Sequence, residues 1–288
     1  VKTKKGVFSL GGWDMYENLP LSAEFTETKA SFRRETLGIR LEKSLSYFPG
    51  QDENACAEKA VYTVKNAGDE PVEVSFCVYF EPVLVPKADF ESHPAFARLM
   101  LEFSALENGV LILHKDREGR SPAYAAFVTD QQATFTASRS EIFGRFGKTD
   151  VSALFENPEN QTFGALPDGA VRMLCRFTLA PGETKRIQTA LAAGFSEEAV
   201  LTEARAALKG EVRPANRLKL TASALSLDGV GVAEALTMGG KLLSQYARRY
   251  FAPASAGPRD TLWRMGISGD LPIALLDGRN LAKQSTRE

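Results

Sequence analysis

Over roughly the first two-thirds of the chain, apolar residues recur at every second position. In Val72–Phe80, VEVSFCVYF, the residues Val72, Val74, Phe76, Val78 and Phe80 share one side, with Glu73 and Ser75 on the other. In Val171–Leu179, VRMLCRFTL, Val171, Met173, Cys175, Phe177 and Leu179 alternate with Arg172 and Arg176. A pleated strand sends successive side chains to opposite faces, so both stretches are predicted strands with one buried face. GIRLEKSLSYF, EKAVYTVKN, NGVLILHK and AYAAFVTD keep the same period less strictly. Between them stand turn sequences: NAGDEP from Asn66, ENG at Glu107, REGRSP at Arg117 and APGE at Ala180. Glycine, proline and asparagine in these segments supply the dihedrals that reverse a chain. Strands so closely spaced, with no helical crossovers between them, predict a mostly β fold. The expected form is a large antiparallel two-sheet sandwich, bigger than an immunoglobulin domain.

The period changes at Ser196. SEEAVLTEARAALKG opens on a serine N-cap with Glu197 and Glu198 in the first turn, where the helix dipole favours anions. Leu201, Ala204 and Leu208 fall on one face, and Gly210 can end the helix. VAEALTMGGKLLSQYARRYF is a second helical stretch, with Leu236, Leu243, Tyr246 and Tyr250 near one stripe and Gly239-Gly240 weakening its middle. APASAGPRD behind it has linker composition. The chain therefore divides into residues 1–30, an N-terminal extension or first strands; 31–195, the β-sandwich; 196–260, a helical connector and linker; and 261–288, a hinge toward a further domain. No internal repeat interrupts this order.

Charge and cysteine usage narrow the function. With 35 Lys+Arg against 36 Asp+Glu, the net charge is −1 and no global field exists to hold a polyanion. Nucleic acid and anionic membrane are not expected partners. No run reaches the roughly 18 apolar residues of a membrane span, and the basic start VKTKKGVFSL lacks the core of a signal peptide. Cys56, Cys77 and Cys175 are odd in number, widely spaced and without CxxC pairs. Free thiols in a reducing cytoplasm are expected, and neither a disulfide framework nor a zinc site.

Catalytic constellations are sparse. His93 and His114 are the two histidines, which leaves little for a histidine-built metal site, and no metal or other cofactor is expected. GISGD, Gly266–Asp270, lacks the second spaced glycine of a nucleophile elbow, and neither a P-loop nor GxGxxG occurs. Most carboxylates lie in turns such as GQDEN, where they are solvated, whereas glycosidic chemistry needs a facing pair. An aldose-epimerase reading requires a carboxylate and a histidine across one sugar ring, and neither histidine has that setting. Asp270 is different: it follows a Gly-Ser-Gly turn close behind Trp263 and Arg264. It can pair with Arg264, cap a helix beginning near Pro272, or contact substrate. His93, in ESHPAFARLMLE, reads as a loop histidine or as a residue contacting sugar or a neighbouring domain. Trp13 and Tyr16, in GGWDMYENLP, read as packing at a domain edge or as a sugar-stacking platform.

LWRMGISGDLPI, Leu262–Ile273, resembles the segment that joins two domains in inverting glycoside phosphorylases. Within them it is similar to the cyclic β-1,2-glucan synthase and β-1,2-oligoglucan phosphorylase branch, related to cellobiose and chitobiose phosphorylases. VYFEPVLVPKADFESHPAFARLMLE and CRFTLAPGETKRIQTALAAGFSEEAV resemble sandwich segments of the same family. The resemblance implies a galactose-mutarotase-like supersandwich joined by helices to an (α/α) barrel that carries the catalytic aspartate. It thus implies that no residue between Val1 and Glu288 is the general acid. The expected function is a non-catalytic, carbohydrate-associated sandwich that supports the barrel and a homo-oligomer. Trp263, Arg264, Asp270 and His93 are the candidate substrate contacts. The competing expectation is a stand-alone module holding β-glucan oligosaccharides on exposed aromatics.

Overall fold

The computed structural model describes residues 1–10, 21–25, 29–49, 55–85, 90, 92–115, 122–144, 151–210, 225–230 and 264–266. They form two antiparallel sheets. The larger has ten strands in the order β12-β8-β9-β10-β14-β6-β5-β4-β3-β15. In chain order these are β3 (Leu21–Phe25), β4 (Lys29–Thr36), β5 (Ile39–Pro49), β6 (Ala55–Asn66), β8 (Leu101–Leu106), β9 (Gly109–His114), β10 (Ala123–Thr129), β12 (Gly164–Ala165), β14 (Thr184–Gly194) and β15 (Leu225–Val230). The smaller sheet runs β11-β13-β7-β1-β2: β1 (Lys2–Thr3), β2 (Gly6–Val7), β7 (Val72–Val83), β11 (Thr134–Ser138) and β13 (Gly169–Leu179). A further strand, β16 (Arg264–Gly266), pairs with β7.

The alternation seen in the sequence is what closes the two sheets on each other. From β7, Val72, Val74, Phe76, Val78 and Phe80 enter one core, and from β13 Val171, Met173, Cys175 and Leu179 join them. The large sheet answers with Ile39, Leu41, Leu45, Val64, Phe103, Ile112, Phe127, Ile187 and Leu191. Edge-on ring contacts bridge the layers: Tyr62 to Phe76 at 4.9 Å and Phe80 to Phe127 at 5.2 Å between centroids. Burying each such side chain contributes roughly 1.5–3 kcal/mol. The inward faces are not wholly apolar. Lys43, from the alternating β5, is 3% exposed and stands over the Tyr62 ring at 5.5 Å. Arg34 is equally buried, and its Nη1 donates to the Ser9 carbonyl at 2.5 Å.

Both sheets also bury their outer faces, which alternation alone does not reveal. Behind the small sheet, the short helix Arg139–Phe143 and the 3-10 turn Val151–Phe155 cover Tyr79, Ala170 and Leu174 with Ile142, Phe143, Leu154 and Phe155. Of the arginines opposite the core face of β13, Arg172 is therefore not a solvent residue, whereas Arg176 remains exposed. Arg172 is 1% exposed, and its Nη1 and Nη2 donate to the carbonyls of Glu156 (2.7 Å) and Asn157 (2.9 Å). Arg176 donates to the carbonyl of Phe155. Cys77, on the same outward parity as Tyr79, packs in this second layer and not in the main core.

Behind the large sheet lies the helix Glu197–Lys209. Ser196 caps it by accepting from the Ala199 N–H, and Gly210 ends it with φ +78 in the left-handed region that favours glycine. The Lys59 ammonium donates to the Leu208 carbonyl at 2.7 Å, where the dipole favours a cation. The buried face is Val200, Glu203, Ala204 and Ala207, not the predicted Leu201–Ala204–Leu208 stripe. The sheet beneath offers mainly alanines (Ala55, Ala57, Ala126, Ala190 and Ala192), so the helix approaches on its own small residues and Leu201 and Leu208 flank the contact. The expected connector 196–260 also contains a strand, β15, which pairs with β3 and widens the large sheet. The second helical stretch, with Leu236, Leu243, Tyr246 and Tyr250, lies outside the described residues, as do Trp13 and Tyr16. Among the described residues, no helix is long and apolar enough to cross a membrane.

Asn66 ties the hairpin ends together. It is 2% exposed, its amide donates to the carbonyls of Glu70 (2.7 Å) and Leu179 (3.1 Å), and its Oδ1 accepts from the Gly68 N–H. Its backbone bonds Glu183 and Gly182 as well. One side chain thus joins the β6–β7 turn to the β13–β14 turn.

Two expectations can be measured. A Cβ on Gly109 would lie 2.1 Å from the Phe127 carbonyl oxygen, a backbone atom that cannot swing away. Gly109→Ala should therefore cost about 2–3 kcal/mol in urea unfolding. Gly68→Ala, whose Cβ would meet nothing nearer than 3.4 Å, should change stability by less than about 0.5 kcal/mol. The second concerns the free thiols of Cys56, Cys77 and Cys175. Burial pushes each from 9.0 up to about 12. Between those values the unfolded chain loses thiol protons that the folded chain keeps, so stability is full below pH 9.0 and falls as pH rises toward about 12. The slope is at most about 1.4 kcal/mol per pH unit for each thiol. Urea midpoints measured from pH 8 to 11 should fall, and less steeply in Cys175→Ala.

Candidate functional site

Strand β7 ends in the sequence FEPV, and the features singled out in the sequence converge on this end. Glu81 continues the outward parity of Cys77 and Tyr79, but at the rim of the second layer, where a charge can reach solvent. Its side chain is 19% exposed. Four residues from four different elements surround it. Arg98, in the last turn of the helix Pro94–Leu99, donates to Glu81 Oε2 at 2.8 Å. Arg139, first residue of its short helix, donates through Nε to Oε1 at 3.1 Å. The Tyr79 hydroxyl donates to Oε1 at 2.7 Å. Asp168, in the turn before β13, completes a ring by facing Arg98 Nη1 at 3.3 Å and Arg139 Nη1 at 3.5 Å.

Each arginine of the ring touches both carboxylates, and each carboxylate touches both arginines. Burial pushes the Tyr79 hydroxyl well above its ordinary value, and the charge and hydrogen bond of Glu81 push it the same way. For Arg139, burial opposes the charge, but the hydrogen bond and charge of Glu81 and the charge of Asp168 outweigh it and its pKa is raised. The Arg139 guanidinium also stands over the Phe143 ring at 5.4 Å. Contacts to the half-buried Glu81 are shorter than those to Asp168, which is 51% exposed. Glu81 is thus the hub, and Asp168 closes the ring from the solvent side.

This arrangement anchors rather than reacts. Two cations and two anions neutralise one another, and both carboxylates are engaged by guanidinium groups, so neither is placed as a free acid or base. Among the described residues no group of His, Cys, Asp and Glu is arranged to hold a metal ion. What the ring does is fix the Pro94–Leu99 helix to β7, helped by a small apolar cluster of Val83, Val85 and Ala97 with Phe90 against it.

Of the four candidate substrate contacts, Arg264 and His93 fall at this end of the molecule. Arg264 begins β16, whose register sets Arg264 opposite Val83, Met265 opposite Pro82 and Gly266 opposite Glu81. His93 immediately precedes the Pro94–Leu99 helix and is exposed. Trp263 and Asp270 lie outside the described residues. The ring itself is absent from the sequence-based expectation. Its one local sign is an acid that follows an otherwise apolar outward parity; its partners come from positions that only folding brings near.

Two features bear on ligand binding. Beside β7 a cavity of about 80 Å³ is lined by Phe8, Leu10, Leu41, Lys43, Tyr62 and Phe76 among others. That is well below the roughly 300–1,000 Å³ of ligand pockets. Among the described side chains no aromatic is exposed; Leu99, at 51%, is the exposed large hydrophobic residue.

Comparison with known proteins places this architecture. Residues 10–209 match the family described as Glycosyl hydrolase 94, supersandwich domain. No curated protein matches the chain. Among matching solved structures is one titled as a polysaccharide lyase, at 14% identity and a TM-score of 0.35. The alignment covers 70% of this chain and 30% of that one, a likeness that carries no argument here. The family match begins at Leu10, after β2, and ends with the Glu197–Lys209 helix, so it takes in strands of both layers of the sandwich and its rear helix. The chain belongs to the glycosyl hydrolase 94 family, of which residues 10–209 are the supersandwich domain.

Proposed function

We propose that this chain is the supporting sandwich of a β-glucan-active glycoside phosphorylase or glycosyltransferase-like enzyme. In that reading it takes no part in bond breaking; an (α/α) barrel following the hinge does the chemistry. The observation that carries the proposal is the docking of Arg264–Gly266 on the end of β7, beside the Glu81 ring. The hinge motif is then seated by the sandwich in a defined register, and a domain following it starts from a fixed point. A cyclic β-1,2-glucan synthase or β-1,2-oligoglucan phosphorylase is the relative proposed from LWRMGISGDLPI. Trp263, Arg264, Asp270 and His93 are proposed to contact the sugar at the junction. A homo-oligomer and a cytoplasmic location belong to the same proposal. The alternative, a stand-alone β-glucan-binding module, calls for exposed aromatic platforms, and the described aromatic side chains are in the cores or half-buried.

The test is phosphorolysis. The 288-residue chain, mixed with β-1,2- and β-1,4-linked glucose oligosaccharides and inorganic phosphate, should release no glucose 1-phosphate. Release by the chain alone would overturn the proposal. Carried within a phosphorylase of this family, Arg264→Ala and Asp270→Ala should each lower kcat/KM by about 10–100-fold, as expected for loss of a charged hydrogen bond of roughly 1.5–3 kcal/mol. An unchanged kcat/KM for both would remove them from the substrate site.

A further inference from the structure

Two of the residues proposed to contact sugar, His93 and Arg264, belong to elements that do not hold themselves in place. His93 is the N-cap of the six-residue helix Pro94–Leu99, which is too short to be stable alone. Arg264 opens the three-residue strand β16, which pairs with β7 at Glu81, Pro82 and Val83. Pro82 has no N–H, so Glu81 and Val83 are the residues of this stretch that can donate from β7 to that strand. Neither element is long enough to set its own direction, and the two lie far apart in sequence.

One residue joins them. The backbone of Glu81 lies opposite Gly266 in the β16 register, and its Oε2 accepts from Arg98 in the last turn of the helix that follows His93. Its Oε1 accepts from the Tyr79 hydroxyl at 2.7 Å and from Arg139 Nε at 3.1 Å. Three donors therefore restrain the side chain whose own backbone seats β16. Residues directly opposite in an antiparallel pair place their side chains on the same face. Gly266 contributes none there, so no side chain directly across from Glu81 competes with the arginines for its carboxylate. Asp168 reaches the same arginines from the solvent side, at 3.3 and 3.5 Å, and lies outside the β16 register.

We propose that Glu81 is a positioning residue of the junction: it sets the Pro94–Leu99 helix and β16 in one fixed relation, and with them the sugar contacts His93 and Arg264. The inference rests on the sugar contacts proposed above and deepens that reading. Glu81 does not touch substrate in this scheme. It acts through Arg98 on one side and Gly266 on the other.

Hydrogen exchange of the full 288-residue chain, read by peptide mass without sugar, tests the coupling. Glu81→Gln keeps the shape of the side chain and removes its charge. Peptides covering 93–99 and 264–266 should both exchange about three- to fivefold faster, as expected for loss of a half-exposed ion pair. Peptides from β14 should be unchanged, which shows that the sandwich stays folded. Arg98→Gln cuts one arm only, so it should speed exchange of 93–99 and leave 264–266 as before. Within a phosphorylase carrying this sandwich, Glu81→Gln should raise KM for the oligosaccharide about fivefold and change kcat by less than about twofold. Unaltered exchange of 264–266 in Glu81→Gln overturns the proposal, and so does equal loosening of 264–266 by Arg98→Gln. Loosening of both peptides by Glu81→Gln with KM unchanged upholds the coupling and removes His93 and Arg264 from the sugar site instead.

Discussion

The strand Val72–Val83 carries two obligations at once, and the rest of the architecture follows from them. Its inward residues must fill the space against a ten-stranded sheet, while its outward residues, Cys77 and Tyr79, must be kept from water. A strand buried on both faces needs cover on both, which a two-layer sandwich does not supply. The Arg139–Phe143 helix and the Val151–Phe155 turn provide it on the outer side. Both edges are used too: β13 pairs along one, and β1 and β16 pair with shorter stretches of the strand.

Burial of this kind leaves polar groups that must be satisfied, and the chain handles them locally. Arg172 and Arg176 donate to carbonyls of the covering turn, converting charged outward positions into fasteners for the second layer. Leaving such a donor unmet would cost about 1–3 kcal/mol or more. Burial lowers the pKa of Arg172, opposed by the charges of Cys77, Glu141 and Glu159. Asn66 performs a comparable service at the opposite end of β7, joining two turns through one amide. The strand is thus pinned near its start by a neutral network and at its end by a charged one.

The charged end orients more elements than the neutral one. A ring of two arginines and two acids at a half-exposed rim adds modestly to stability, since exposed ion pairs are worth about 0–1 kcal/mol each. Its value lies in direction. Four elements separated widely in sequence are held in one orientation, and the strand Arg264–Gly266 is laid down beside them. The supersandwich of the glycosyl hydrolase 94 family, matched over residues 10–209, thus carries at one end of β7 a charged ring that orients the elements around it.

Periodicity alone was enough to determine the β architecture, the core faces of Val72–Phe80 and Val171–Leu179, and the caps of the helix begun at Ser196. These depend on neighbours within a few residues, and a period or a capping serine records them directly. The resemblance in LWRMGISGDLPI likewise needed no coordinates, because it lies in consecutive residues. Other features were decided only by the tertiary structure. Which face of the Glu197–Lys209 helix is buried depended on alanines in β6, β10 and β14; whether Arg172 met water depended on the carbonyls of Glu156 and Asn157, distant in sequence. The grouping of Glu81, Arg98, Arg139 and Asp168 required two sheets to close first. Local sequence encodes the direction in which a side chain points along its own strand or helix. What waits there is set by other segments, and only the folded chain brings them to the same place.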